Sequence, residues 1–123
     1  MFLKGKKIAV VGVSKNEKKF GYKIFKDLLK QGLDVKAVGK EETTLFGEKV
    51  YSSLKEINDK IDLVVTVVPP SVTEKIVEEC IELGTKAIWM QPGSSSEKAV
   101  VKAKNNGIKV TSNLCIMVES GIW

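Results

Sequence analysis

The sequence predicts an α/β protein in which a parallel sheet lies between two layers of helices. Continuous apolar runs such as Ile8–Val11 and Asp62–Val68 recur along the chain, and amphipathic segments separate them. Strands of parallel sheets have this continuous apolar character because helices cover both of their faces. Strands that alternate with helices also require right-handed crossover connections. We therefore expect one domain over residues 1–123, a three-layer Rossmann-like fold with strand order 3-2-1-4-5-6.

The first half of the chain contains three predicted strands and one predicted helix. Ile8–Val11 is the first strand, and Tyr22–Gln31 follows as an amphipathic helix that ends at Gly32. Val35–Val38 is the second strand. Lys49–Tyr51 has the weakest pattern and is predicted as a short edge strand. Without it, a flavodoxin-like strand order is the expected alternative.

Three serines in the second half open a Ser-x-x-Glu pattern, which is typical of helix starts. The pattern predicts helices that begin at Ser53, Ser71 and Ser94. The second of these extends to about Leu83, and the third ends near Asn106. The remaining predicted strands are Asp62–Val68, Lys86–Met90 and Ile108–Thr111.

Composition excludes several classes of protein and of catalysis. The chain is 43% apolar and 28% charged, as ordinary globular domains are. No apolar run approaches the roughly 18–20 residues that span a bilayer, and no secretory signal is visible, so we expect a cytoplasmic protein without a membrane partner. The absence of histidine excludes Ser-His-Asp and Cys-His catalysis. Cys80 and Cys115 lie far apart without C-x-x-C spacing, which predicts neither a zinc site nor a redox pair.

Charge is unevenly distributed along the chain. All 20 basic residues are lysine, and residues 1–40 hold 11 of them against three acids, whereas residues 41–123 hold nine against 12 acids. A basic first third followed by a mildly acidic remainder argues against a nucleic-acid-binding protein. It favours a local anion site built by the first two strands and the first helix. A merely solvated lysine face is the alternative interpretation.

The segment from Lys6 to Gly21 carries the strongest functional signal. An apolar strand ends at Gly12, a lysine-rich loop follows, and an amphipathic helix then begins. The free N–H groups and the dipole at a helix start attract anions, and nearby lysines favour a phosphate. Only Gly12 and Gly21 are present, so the G-x-G-x-x-G pattern of dinucleotide-binding turns is missing.

Polar or turn-forming residues follow each long strand, where an open α/β sheet places its ligand crevice. Lys40 distinguishes best among ligands, because an acid normally holds the ribose of NAD at the end of the second strand. A lysine there favours a phosphorylated ribose, as in coenzyme A (CoA) or NADP, although Glu41 and Glu42 leave NAD open. The residues that follow the strands are Gly12, Val13, Ser14 and Lys15; Gly39 and Lys40; Pro69 and Pro70; Gln91, Pro92 and Gly93; Asn113 and Cys115.

Two cysteines and one strand end have simpler interpretations. Trp89 and Met90, just before Gln91, are expected in the core, as is Cys80 on the apolar side of its helix. Cys115 is expected at the crevice, where a nucleophilic thiol is conceivable. A packed or merely exposed thiol is the favoured interpretation, because no histidine is available to activate it.

Three motifs together carry a family resemblance over nearly the whole chain. They are IAVVGVSKN…FG at the first turn, VVTVVPPSVTEKIVEECIELGTKAIWMQPG through the middle, and GIKVTSNLCIMVE near the end. With these motifs the chain resembles the small stand-alone CoA-binding proteins. It is similar also to the CoA-binding N-terminal domain of the succinyl-CoA synthetase α subunit.

The resemblance implies a role for each part of the crevice. Gly12, Val13, Ser14 and Lys15 would hold the diphosphate of CoA, with Lys19 and Phe20 beside them at the helix start. The turn at Gly39 and Lys40 would lie beside the adenosine and its 3′-phosphate. Val68, Pro69 and Pro70 would flank the ligand, Gln91, Pro92 and Gly93 would line the pantetheine side, and Asn113 and Cys115 would lie near the thiol end.

We therefore expect non-catalytic binding of CoA or an acyl-CoA. Ligase activity is not implied, since the chain has no histidine to phosphorylate, no nucleotide-triphosphate motif and no visible second domain. An NADP-binding oxidoreductase fragment or redox sensor is the alternative. A third interpretation is an interaction module, and the apolar C-terminal segment ESGIW, expected to be exposed, makes a homodimer plausible.

Overall fold

The computed structural model describes all 123 residues and contains seven strands and four α-helices. The strands are β1 (Lys7–Val11), β2 (Asp34–Val38), β3 (Thr43–Leu45), β4 (Glu48–Tyr51), β5 (Leu63–Thr66), β6 (Ala87–Met90) and β7 (Lys109–Ser112). The helices are α1 (Phe20–Lys30), α2 (Pro70–Leu83), α3 (Glu97–Asn105) and α4 (Ile116–Glu119), with a 3₁₀ turn at Leu54–Glu56. None of the helices combines the length and the apolar character needed to cross a bilayer.

One sheet contains all seven strands, in the order β3-β4-β2-β1-β5-β6-β7. The six predicted strands stand in the predicted Rossmann-like order and pair in parallel, so the α/β fold class is confirmed. The flavodoxin-like alternative does not apply, because the weak strand at Lys49–Tyr51 forms as β4. It is not the predicted edge strand, however, because β3 pairs with its outer side.

An antiparallel edge strand, β3, is an addition that the sequence did not predict. It pairs with β4 through a two-residue turn at Phe46-Gly47, where both residues have positive φ (54° and 77°). Positive φ at both central positions defines the tight turn that matches strand twist, and Asn-Gly is its usual sequence. The hairpin was not predicted because Phe46 occupies the first turn position, where Asn is usual.

The sheet separates two cores of similar size, which makes the domain three-layered. Alternate residues of β1 point to opposite sides: Ile8 and Val10 pack with α1 and α4, while Ala9 and Val11 pack with α2 and α3. Trp89, Met90 and Cys80 are buried, as predicted. Burial raises the pKa of the Cys80 thiol to about 12, so this residue is an inert core side chain.

The Ser-x-x-Glu pattern lies at or near the start of all three helical segments, but none of its three serines caps a helix through its side chain. Ser53 makes no capping hydrogen bond and precedes only the 3₁₀ turn. Ser71 lies inside α2, because Pro70 takes the first helical position, which suits its fixed φ and missing N–H. For α3 the cap is Ser96, whose Oγ accepts a hydrogen bond from the Ala99 N–H at 3.1 Å. Ser94 is two residues too early to serve as the cap.

The C-terminal segment is docked rather than free. The backbone N–H groups of Ile122 and Trp123 both donate to the Met117 carbonyl, and Ile122 packs against the α1 side of the core. The Trp123 indole N–H donates to Asp27 on α1 at 2.7 Å. Its ring lies 6.3 Å from that of Phe20, and 43% of Trp123 remains exposed. The predicted exposure of ESGIW is therefore only partly correct.

Candidate ligand cleft

A cleft of about 660 Å³ opens where β1, β2 and β5 end, at the point where the winding of the sheet reverses. Its walls are the β1–α1 loop, the segments after β2, β4 and β5, and one face of α2. Ten predicted site residues line it: Gly12, Val13, Ser14, Lys15, Lys19, Phe20, Gly39, Lys40, Val68 and Pro69.

Three glycines bring four chain segments into direct contact beneath the cleft. A Cβ on Gly12 would overlap the carbonyl oxygen of Val67 after β5. Likewise, a Cβ on Gly21 at the start of α1 would overlap the Gly12 carbonyl, and one on Gly39 would overlap that of Val13. The turn itself has φ of 110° at Gly12, a region that only glycine adopts readily. These close approaches fix the N-terminus of α1 so that it faces the cleft.

Backbone N–H groups in this turn divide into paired and unpaired ones. The N–H groups of Gly12 and Val13 both donate to the Val38 carbonyl, at 2.9 and 3.0 Å, so they hold β1 against β2 and are not available to an anion. Those of Ser14 and Lys15 have no partner within the chain. The first turn of α1 adds further unpaired N–H groups, as helix starts do. The N–H groups that are available to an anion therefore begin at Ser14 rather than at Gly12.

One end of the cleft, here called the lysine end, carries Lys15, Lys18, Lys19 and Lys40. Of these, only Lys15 forms an ion pair, an exposed one in which its Nζ lies 3.6 Å from Glu41 Oε2. Lys18 was not singled out as a ligand residue from the sequence, although it belongs to the same loop. Four lysines against one carboxylate in this part of the lining, that of Glu41, give this end a positive potential.

The other end, here called the apolar slot, was not predicted. Val38, Val50, Val72 and Ile76 form its apolar walls, and Ser52, Ser53 and Glu79 line it with polar groups. Val72, Ile76 and Glu79 follow one another on a single face of α2, at helical spacing. In the sequence, the signal for this part of the cleft was Glu79, an acidic residue in line with the apolar residues Val72 and Ile76 of the same helix. Two buried hydroxyls without a partner in the chain, those of Thr66 and Thr73, stand next in sequence to cleft residues.

Six predicted site residues lie outside this cleft: Pro70, Gln91, Pro92, Gly93, Asn113 and Cys115. We call the last five, which follow β6 and β7, the Gln91 corner. Gln91 is buried there, where its Oε1 accepts from the Ile116 N–H at 2.7 Å and its Nε2 donates to Cys115 Sγ at 3.4 Å. The Asn113 Oδ1 accepts from the Ser95 hydroxyl at 3.1 Å. Gln91 therefore positions the start of α4.

Comparison with known proteins identifies the family to which this fold and cleft belong. The family described as CoA binding domain matches residues 6–121. The chain belongs to the CoA-binding domain family. The resemblance inferred from the sequence motifs is thereby confirmed.

Relatives in this family differ widely in length. The α subunit of an ADP-forming acetate–CoA ligase (form II) from Pyrococcus furiosus is 33% identical over 126 residues. That match covers 94% of this chain but only 28% of the subunit. The uncharacterized protein YneT of Bacillus subtilis is 30% identical over 119 residues, which cover 97% of this chain and 88% of YneT.

Solved structures agree with the sequence matches. A hypothetical protein from Pyrococcus horikoshii OT3 superposes with a TM-score of 0.90 at 35% identity. The match covers 94% of this chain and 82% of that protein. The three-layer fold described above is therefore the fold of a CoA-binding domain protein.

Proposed function

We propose that this protein binds coenzyme A or an acyl-CoA non-catalytically in the cleft at the C-terminal ends of β1, β2 and β5. The observation that carries the proposal is the division of one cleft, in a CoA-binding domain, into a lysine end and an apolar slot. The nucleotide part of CoA has the same division, since phosphates are joined to a flat heterocycle.

The lysine end suits the three phosphates of CoA. The diphosphate would meet the unpaired N–H groups of Ser14 and Lys15, the first turn of α1, and the side chains of Lys18 and Lys19. Lys40, at the end of β2, would contact the 3′-phosphate of the ribose. Charge-assisted hydrogen bonds of this kind contribute about 1.5–3 kcal/mol each.

The pantetheine arm would leave the cleft past Pro69 and Pro70 and run toward the Gln91 corner. Pro69 rims the cleft, and the Val68 N–H donates to Ser94 Oγ at 3.1 Å, which ties the two strand ends together. The thiol of CoA would then lie near Asn113 and Cys115. Cys115 is half-buried, with Gln91 as its hydrogen-bond partner.

Binding without catalysis is supported by the side chains that line the cleft. The chain has no histidine, and none of the lining residues forms a nucleophile–base pair. The ligase subunit that it resembles is much longer, and this chain spans 28% of it. We therefore do not extend ligase activity to this protein.

The test is a calorimetric titration of the reduced protein with CoA, dephospho-CoA, NAD and NADP in parallel. We expect CoA to bind most tightly and dephospho-CoA about tenfold more weakly, because it lacks the phosphate assigned to Lys40. Binding of NADP without CoA would instead support the oxidoreductase alternative. The absence of measurable binding by all four ligands would overturn the proposal.

Three coarser expectations accompany the proposal. We expect a small-molecule nucleotide as the partner rather than nucleic acid, because four lysines meet at one end of one cleft and the chain after residue 40 is mildly acidic. We also expect a cytoplasmic location. A homodimer remains a prediction, and sedimentation velocity with and without CoA would test it.

A further inference from the structure

The apolar slot has the properties of a site for a flat aromatic ring. Branched side chains face it from β2, β4 and α2, namely Val38, Val50, Val72 and Ile76. Its polar groups come from different elements: Ser52 and Ser53 from the segment after β4, and Glu79 from α2. An aromatic heterocycle has apolar faces and a polar edge, so it complements such a lining.

The polar groups of the slot have no partners within the chain. Glu79 is half-buried and forms neither a hydrogen bond nor an ion pair. Lys55, on the 3₁₀ turn, pairs with Glu82 at 2.7 Å and not with Glu79. Accordingly the pKa of Lys55 is raised chiefly by Glu82, and Glu79 adds only a weaker, through-space effect. The Ser53 hydroxyl makes no capping hydrogen bond, and the exposed Ser52 hydroxyl has no hydrogen bond within the chain either.

The proposed orientation of the ligand would place its base in this slot. With the phosphates at the lysine end and the ribose beside Lys40, the base would lie between the end of β2 and the cleft-lining face of α2. Polar side chains that have no partner within the protein are costly to bury under a ligand, unless the ligand supplies the missing hydrogen bonds.

We infer that the carboxylate of Glu79 accepts a hydrogen bond from the exocyclic amino group of adenine and makes the cleft selective for adenine nucleotides. This inference rests on the proposed function. A carboxylate only accepts hydrogen bonds, and adenine offers a donor at its position 6. Guanine and hypoxanthine carry an oxygen acceptor there, which Glu79 repels. The serine hydroxyls, which donate and accept, pair with the ring nitrogens of either base.

The test compares adenosine 3′,5′-bisphosphate with inosine 3′,5′-bisphosphate, which carries an oxygen in place of the amino group. Both compounds carry the same phosphates, so a difference in affinity reports only how the protein recognises the base. We expect the wild-type protein to bind the adenosine compound at least tenfold more tightly, an effect typical of a lost or repelled charged partner. Equal affinities in the wild type would overturn the inference without any variant.

The substitution Glu79→Gln should reduce that preference to about threefold or less, because an amide can rotate to donate to oxygen. Glu78→Gln is the matched control: it lies on the same helix, removes the same charge, pairs with Lys102 on α3 and does not line the cleft. The control should keep the full preference. An unchanged preference in Glu79→Gln, with far-ultraviolet circular dichroism like the wild type, would overturn the inference.

CoA itself is titrated in the same series to separate this inference from the proposed function. CoA binding without base discrimination would overturn only the role of Glu79. Discrimination by Glu79 without CoA binding would overturn only the proposed ligand and would indicate another adenine nucleotide. Failure of CoA and both bisphosphates to bind would overturn both.

Discussion

The lysine end of the cleft and the Gln91 corner both follow strand ends on the same edge of the sheet, yet their polar groups behave in opposite ways. At the lysine end the N–H groups of Ser14 and Lys15 have no partner in the chain. In the Gln91 corner Gln91 is bonded to Ile116 and Cys115, and Asn113 is bonded to Ser95. A position at a strand end therefore does not by itself make a residue a ligand contact.

Hydrogen-bond pairing explains the difference. A buried polar group that already has a protein partner gains little from a ligand, whereas an unpaired group recovers the cost of its desolvation when a ligand arrives. The Gln91 corner is thus in the first place the scaffold that holds α4 against the sheet. The lysine end and the apolar slot are the parts whose polar groups have no partner in the chain.

The largest expected effect comes from Gly12→Ala. At φ of 110° with the Val67 carbonyl against the new Cβ, this change strains β1 against β5 and misplaces the whole turn. We expect CoA binding to be abolished and the free energy of unfolding to fall by several kcal/mol, at least about 3. Urea denaturation and calorimetry measure the two effects.

Gly93→Ala is its matched control in the Gln91 corner. Gly93 also has positive φ, 85°, but open space surrounds its Cβ position, so only the backbone cost of about 1–2 kcal/mol applies. An equal loss of stability and binding in both variants would break the comparison between the two regions.

The next effect is that of Gln91→Leu, which concerns stability rather than the nucleotide. The change leaves the buried Ile116 N–H without its acceptor at 2.7 Å. We expect the free energy of unfolding to fall by about 1–3 kcal/mol. The affinity for adenosine 3′,5′-bisphosphate, which has no pantetheine arm, should not change. Weaker binding of that compound in a folded variant would show that Gln91 acts on the lysine end.

Lys40→Ala tests the lysine end by comparing two ligands, CoA and dephospho-CoA. We expect CoA affinity to fall about tenfold and dephospho-CoA affinity to change little, because only CoA carries the 3′-phosphate. Lys30→Ala removes the same charge at the far end of α1 and should affect neither ligand. Equal losses for CoA and dephospho-CoA would mean that Lys40 does not contact the 3′-phosphate.

The smallest predicted effect is a gain in CoA affinity. Glu41 pairs with Lys15 across the mouth of the cleft, so it competes with the phosphates for this lysine. Glu41→Gln should tighten CoA binding about two- to threefold at low ionic strength, since exposed pairs contribute at most about 1 kcal/mol. The gain should shrink at high salt. The adjacent Glu42→Gln, outside the cleft, should give no more than half of that gain.

Much of the fold followed from local patterns that need no tertiary information. Unbroken apolar runs such as Ile8–Val11 predicted buried parallel strands, and Gly12 with its lysine loop predicted an anion site beside β1. The β3–β4 hairpin was missed, because its turn uses Phe46 where a shorter polar residue is usual. The apolar slot was missed because β4 and α2, which form it, meet only in the folded chain.

The sequence alone therefore determined the order of strands and helices and the edge of the sheet at which the cleft forms, since these depend on periodicity and chain direction over a few residues. Only the tertiary structure decided which polar groups are already paired. Ser94 caps no helix but holds the Val68 N–H, 26 residues away. Glu74 completes no capping box but accepts a hydrogen bond from Ser96, the cap residue of α3. Each pairing is a competition among partners that are distant in sequence, and the close packing of the layers settles it.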